Sequence, residues 1–237
     1  MNFRLPYEVD HLPFVFLAIL LSFTVHEYAH AAAAFRFGDD TAQKLGRVTL
    51  NPMPHISLLG LLFILILGFG WAKPVPVDRS KLRSPRLMGI LVSAAGPFSN
   101  LLAAAVAATA AGALFASGAL DGAGGGVYRA AGLVFFYMVH INVLLFFFNL
   151  IPLPPLDGYR ILEDLAPDGL RRRMRQYEAW GVYIFLLIVF ITPVYNATIG
   201  PILGQVSVLR QWFLASAAAL FGAEIDWLYI YTGLRGF

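Results

Sequence analysis

The sequence predicts an all-α polytopic membrane protein of five to six transmembrane helices, one of them short enough to be re-entrant, with a short β-hairpin after the first helix. Three observations carry this. The 237 residues are 59% hydrophobic and 13% charged, about half the charged share of a soluble domain, and the mean hydropathy is +0.70. Apolar stretches recur along the whole length. Lys and Arg fall between those stretches, so the net charge of +3 calls for no nucleic-acid partner. Cys is absent, which excludes a disulfide framework and a thiolate metal site. Any metal must be held by His, Asp or Glu.

The elements follow in order. The first apolar block runs from Leu12 to Phe35. Its leader, MNFRLPYEVDH, sets one Arg against Glu8 and Asp10, so the block is read as a retained span and not as a cleaved signal. Arg36 to His55 contains GRVTLNP, whose β-branched and turn residues predict the hairpin, with Arg47 to Asn51 as an edge to which an extended substrate could add as a strand. The second block, Ile56 to Ala72, is at the lower length limit for a crossing, which is near 17 residues. The third runs from about Leu87 to Ser117 and the fourth from about Val127 to Pro152, separated by a Gly-rich turn. The fifth runs from about Trp180 to Tyr195. Val206 to Gly222 is apolar but carries Arg210 and Gln211, and is read as a sixth span or an interfacial helix. Trp71, Tyr128 and Trp180, near block ends, are interfacial anchors, and RRRMR (Arg171 to Arg175) is a cytoplasmic loop facing anionic lipid headgroups. The whole chain, 1–237, is expected to form one membrane-embedded domain with its core at 12–165 and a helical tail at 180–237.

A re-entrant second block places Arg36, Lys44, Arg47, Lys73, Arg79, Lys81, Arg83, Arg86, Arg160 and the RRRMR arginines on one face, with Arg4 and Arg129 opposite. A spanning second block moves Arg36, Lys44 and Arg47 to the poorer side. The positive-inside rule favours the first arrangement.

HEYAH, His26 to His30, ends the first block. On a helix, His26 and His30 sit about 40° apart around the axis and one turn apart along it, so both imidazoles can reach one ion. Glu27 lies beside them, able to touch a water on that ion without taking a coordination site. This H-E-x-x-H arrangement is a zinc-hydrolase signature, with Glu27 as general base. Polar residues at membrane depth cost about 2.5–3.5 kcal/mol each, which argues against chance. Ala29 and Ala31 to Ala34 would let another helix approach closely. A catalytic zinc normally takes three protein ligands. A third donor is offered by Asp157 in NLIPLPPLDGYRIL, where Pro152, Pro154 and Pro155 break the helix. Either this stretch folds Asp157 inward as unwound backbone lining a cavity, or the span ends at Pro152 and Asp157 is a surface turn residue.

HEYAH, AGPFSN (Ala95 to Asn100) and FNLIPLPPLDG (Phe148 to Gly158), in that order on apolar segments, resemble the site-2 protease family of intramembrane zinc metalloproteases. GRVTLNPMPHISLLG and GWAKPVPVDRSKLRSPR are similar to its compact prokaryotic branch, which lacks PDZ and CBS domains. The resemblance covers about Leu12 to Leu162. It implies one Zn2+ ion held by His26, His30 and Asp157, with Glu27 as the catalytic glutamate. It also implies a transmembrane protein substrate, and a multi-pass setting in the lipid bilayer of a prokaryotic plasma membrane. In the family a single crossing separates the histidine helix from the aspartate segment, a parity that a re-entrant second block restores. Asn149 resembles the family asparagine that holds the substrate backbone, and its amide could donate to an oxyanion; the alternative is that it caps the broken helix. Asn100, after a Gly-Pro kink, faces the same choice. His55 departs from the branch pattern, since HISL lacks the acidic residue that commonly follows. His55 and His140 are expected as outer contacts to the metal site or as plain interhelical hydrogen bonds. A non-proteolytic metal-binding membrane protein, a pseudoprotease chaperone or metal carrier, is the competing reading, and it would need the ligands without Glu27. The sequence carries no signature of an oligomeric state.

Overall fold

The computed structural model describes residues 7–67 and 70–233. Its helices are α1 (Leu12–Arg36), α2 (Thr41–Lys44), α3 (Leu58–Leu67), α4 (Pro85–Ala116), α5 (Gly125–Asn149), α6 (Asp157–Leu165), α7 (Asp168–Phe190), α8 (Thr192–Ala197), α9 (Ile199–Phe221) and α10 (Trp227–Thr232). Local sequence sets their ends. Pro13 and Pro85 occupy first-turn positions, where a missing N–H costs nothing. After Phe37, Gly38 at φ +112° turns the chain out of α1. Pro193 enters α8 in its first turn, after Ile191 has left the helical region.

Helices α1, α4, α5 and α9 form the bundle. Its core joins Val15, Ala18 and Ile19 of α1, Ala104, Ala107 and Ala108 of α4, Leu133 and Val139 of α5, and Val206, Leu214 and Ala217 of α9. Helix α4 shows the sorting. Leu87, Leu91, Phe98, Leu102 and Val106 are exposed in a stripe, while Gly89, Ser93, Gly96, Asn100, Ala104 and Ala108 are buried. Large residues outward and small or polar ones inward is the packing of helices surrounded by lipid.

Three helices are long and apolar enough to cross a membrane, among the described residues: Val9–Arg36, Pro85–Ala116 and Gly125–Asn149. These are fewer than the expected five to six. The second apolar block contains the ten-residue α3, and the two ends of the block meet. Lys73 N donates to His55 O at 2.8 Å, and a Cβ on Gly60 would fall 1.9 Å from the Trp71 carbonyl oxygen. The block therefore returns to where it started. The fifth block is divided between α7 and α8, and the first half of α7 is charged. Its apolar half packs through Phe185 against Ile151, Leu156 and Ile199 at one end of the bundle. Helix α9 does run the bundle's length, from Ile199 in that same cluster to Ala217 against Gly112 near the end of α4. Arg210, Gln205 and Gln211, in its middle, keep every continuous span-length stretch of it below the hydropathy of the other three.

The expected β-hairpin does not form, and no strand occurs among the described residues. The backbone of this loop is satisfied locally instead. Asn51 N donates to Thr49 Oγ1 and Met53 N to Asn51 Oδ1, both at 3.1 Å, and His55 Nε2 donates to Thr49 O at 2.9 Å. Such side-chain turns compete directly with a strand ladder. The edge expected at Arg47 to Asn51 is absent with it.

Candidate metal centre

Helix α1 carries His26 and His30 one turn apart on its buried face, 6% and 8% exposed. Their outer nitrogens are fixed first. His30 Nδ1 meets the Val92 carbonyl oxygen at 2.7 Å, and a carbonyl only accepts, so Nδ1 carries the proton. His26 Nδ1 meets Asn100 Oδ1, also at 2.7 Å, and donates in the same way. In a neutral imidazole this leaves the Nε2 lone pairs inward, and the two Nε2 atoms lie 3.0 Å apart.

The third donor arrives from α6. Ile151 to Leu156 descend through turns, and Asp157 opens the helix. Its Oδ2 lies 3.2 Å from His26 Nε2 and 3.3 Å from His30 Nε2. The proline stretch thus folds Asp157 inward, and the surface-turn alternative does not hold. Oδ2 is buried with no hydrogen-bond partner. Two lone pairs and an orphaned carboxylate oxygen facing one point repel one another unless a cation lies between them. Tetrahedral zinc ligands, each 2.0–2.1 Å from the ion, stand about 3.3 Å apart. The residues present therefore fit such an ion in chemistry and in spacing.

Glu27, 7% exposed, is not among the three donors that converge. Its Oε2 accepts from Val75 N at 2.9 Å. Val75 lies in KPVPV, where Pro74 and Pro76 have no N–H to offer. This extended segment is tied at both ends: Arg47 donates to Lys73 O, Lys73 to His55 O, and Asp78 N to Asp39 Oδ2 at 2.7 Å. It crosses α1 at Glu27 and holds one carboxylate oxygen.

The other expected residues are placed as follows. Asn100 is fully buried. Its Oδ1 accepts from His26, and its Nδ2 donates to Ser22 O at 3.1 Å and to Asn142 Oδ1 at 2.8 Å. Both amide hydrogens are committed, which leaves none for a substrate. Asn149 Nδ2 donates to Leu145 O at 3.0 Å, a bond inside its own helix. His55 donates to Thr49 O, and its buried Nδ1 has no partner among the described residues. His140 turns away from the metal group toward α9, where its Nδ1 accepts from Arg210 at 3.3 Å.

Sequence reasoning missed Gly96 and Asn142. A Cβ on Gly96 would lie 2.3 Å from His30 Nε2 and 2.6 Å from His26 Cε1, so only glycine lets α4 pass so close to both imidazoles. The signal was its place in AGPFSN. Asn142 gave none beyond being an amide in an apolar run. A second cluster of potential ligands, Glu8, Asp10 and His11, already holds the Arg129 guanidinium, which reaches Asp10 Oδ2 at 2.9 Å and His11 Nε2 at 3.1 Å.

Residues 14–192 match the profile described as Peptidase family M50. The chain is similar to the Bacillus subtilis protein named "Putative zinc metalloprotease YwhC", with 46% identity over 217 residues covering 89% of this chain and 95% of the relative. It is also similar to "Putative zinc metalloprotease Rip2" of Mycolicibacterium smegmatis, with 31% identity over 186 residues, 75% of this chain and 66% of the relative. The protein of the same name from Mycobacterium tuberculosis is 33% identical over 183 residues, again 75% of this chain and 66% of the relative. No solved structure gives a significant match.

Proposed function

Because the chain belongs to peptidase family M50, the site-2 protease family of zinc metalloproteases, we propose that it is an intramembrane endopeptidase. On this reading it hydrolyses a peptide bond within or beside the transmembrane segment of a membrane-protein substrate. One observation carries the reading: His26 Nε2, His30 Nε2 and Asp157 Oδ2 converge within 3.0 to 3.3 Å on helices of a lipid-sorted bundle, with Glu27 beside them.

His26, His30 and Asp157 would hold a single zinc ion. When bound, zinc supplies Lewis-acid activation of water and of the scissile carbonyl. Glu27 takes the proton of the attacking water and returns it to the leaving amine. Its Oε2 is held by Val75 N–H, so Oε1 is the oxygen that carries this proton. Asn149 keeps one amide hydrogen and its carbonyl oxygen after bonding Leu145, and these are the groups that hold the substrate backbone. Asn100 positions His26 instead of touching substrate, since its hydrogens are spent. The His26-bearing end of the bundle faces the cytoplasm of a prokaryotic plasma membrane. Arg36, Lys44, Lys73, Arg79 and Lys81 lie at or between helix ends on that side, and the RRRMR arginines lie in the first turns of α7 there. The loop from Ile56 to Ala72 dips into the membrane and returns, and α9 is the fourth crossing.

The test is cleavage of a transmembrane substrate in proteoliposomes by wild type and Glu27→Gln, with zinc measured on both. Turnover should fall by about 10²–10⁴-fold while zinc stays at one per chain. Undiminished cleavage by Glu27→Gln would overturn the assignment. Zinc binding by wild type without cleavage would favour the metal-carrier reading.

A further inference from the structure

We infer that Asn142 is a positioning residue for metal binding: acting through Asn100, it locks His26 into the tautomer whose Nε2 lone pair faces His30 and Asp157. The inference rests on the reading of His26 as a ligand.

The two ends of the chain of bonds decide its direction. Asn142, on α5, is fully buried. Its Nδ2 donates to the Met138 carbonyl oxygen at 2.8 Å. That oxygen can only accept, so the amide nitrogen must sit on that side and Oδ1 must point the other way. Oδ1 accepts from Asn100 Nδ2 at 2.8 Å, and the same nitrogen donates to the Ser22 carbonyl oxygen at 3.1 Å. Two acceptors on one side stop the Asn100 amide from turning, because a flip would set oxygen against oxygen twice. Asn100 Oδ1 therefore faces His26 Nδ1, at 2.7 Å, and that nitrogen must carry the proton.

The two ligands differ in how they are set. His30 needs only the Val92 backbone oxygen. His26 depends on two side chains from two other helices. With Asn142 gone, one carbonyl alone orients Asn100. A turned Asn100 presents its N–H group to Nδ1, which moves the imidazole proton to Nε2, where the ion must bind. Outer contacts that fix a histidine tautomer commonly change metal affinity by about ten- to a hundredfold when removed.

The experiment measures zinc affinity by chelator competition on the full chain in detergent, for wild type, Asn142→Leu and Asn142→Asp. A buried neutral aspartic acid has the shape of asparagine, with a hydroxyl to donate to Met138 O and an oxygen to accept from Asn100. Asn142→Leu should weaken zinc about ten- to a hundredfold, and Asn142→Asp should recover most of that loss. The second measurement is ¹⁵N NMR of histidine-labelled, metal-free wild type, in which His26 should be protonated at Nδ1. If Asn142→Leu does not fold, the aspartate variant and the Nδ1 proton carry the test. Zinc affinity of Asn142→Leu within twofold of wild type, or a wild-type His26 whose Nδ1 carries no proton, overturns the relay and leaves the protease reading intact. A wild-type chain that binds no zinc overturns both.

Discussion

At position 96 a single hydrogen atom decides how closely α4 can pass two imidazoles. A Cβ there would sit 2.3 Å from His30 Nε2, and the atom it strikes belongs to a buried ring and not to a flexible chain end. Gly96→Ala should lower zinc affinity at least about tenfold, comparable to losing an outer-sphere partner. Chelator competition measures this, and the variant should stay folded because α4 gains helix propensity from alanine. Val75 acts on Glu27 by its backbone alone. Val75→Pro removes the N–H that Glu27 Oε2 accepts from, whereas Val75→Ala keeps it. A hydrogen bond to a charged group contributes about 1.5–3 kcal/mol, so kcat should fall by about ten- to a hundredfold for the proline variant. KM and zinc content should barely change, and the alanine variant should behave as wild type. Equal kcat for both would show that this N–H does not orient the carboxylate.

Helix α6 is short, and what holds Asp157 in place is the opposite end of it. Glu163 and Asp164 are 1% and 2% exposed. Arg175 donates to Glu163 at 2.6 Å, while Arg79 and Arg171 reach Asp164 at 2.5 and 2.8 Å. These pairs tie α6 to α7 and to the segment before α4. Burial raises the Glu163 carboxyl, but Arg175, Arg79 and Arg160 outweigh it and hold the group below its ordinary 4.5. Its contribution to stability is therefore present at neutral pH and is lost as pH falls from about 4.5 toward the lower folded value. Asp164 is shifted the other way, upward, because burial outweighs its arginines. Glu163→Gln isolates the first effect. Thermal unfolding of the variant should show a deficit of about 3 kcal/mol at pH 7, shrinking as the pH is lowered below about 4.5. A deficit independent of pH would mean that the carboxylate charge contributes nothing.

The molecule as a whole sorts charge along the bundle. Arg36, Arg79, Arg86 and the arginines of α7 lie at the end that holds the metal group, and Arg129 lies at the other. Arg210 sits midway along α9, over the Phe136 ring at 4.6 Å and against His140. The chain has no cysteine, so single cysteines report topology cleanly. In intact cells a membrane-impermeant maleimide should label Asp121→Cys and Leu220→Cys, and should label Lys44→Cys and Arg173→Cys only after lysis. Leu220 is 72% exposed, and α9 carries it to the Gly112 end. Labelling of position 220 only after lysis would show that α9 does not cross.

By itself the sequence made the class and the family legible. Long apolar runs call for membrane helices, and the spacing of H-E-x-x-H sets two imidazoles and a carboxylate on one buried helical face, because both depend on spacing along a single element. It could not decide which way the proline stretch turned Asp157, that the ends of the second apolar block meet, or that Thr49 and Asn51 dissolve the hairpin. Nor could it find Gly96, Asn142 or the Val75 N–H. Those depend on how closely helices far apart in the chain approach one another, a distance set by packing between elements that the order of residues within one element does not contain.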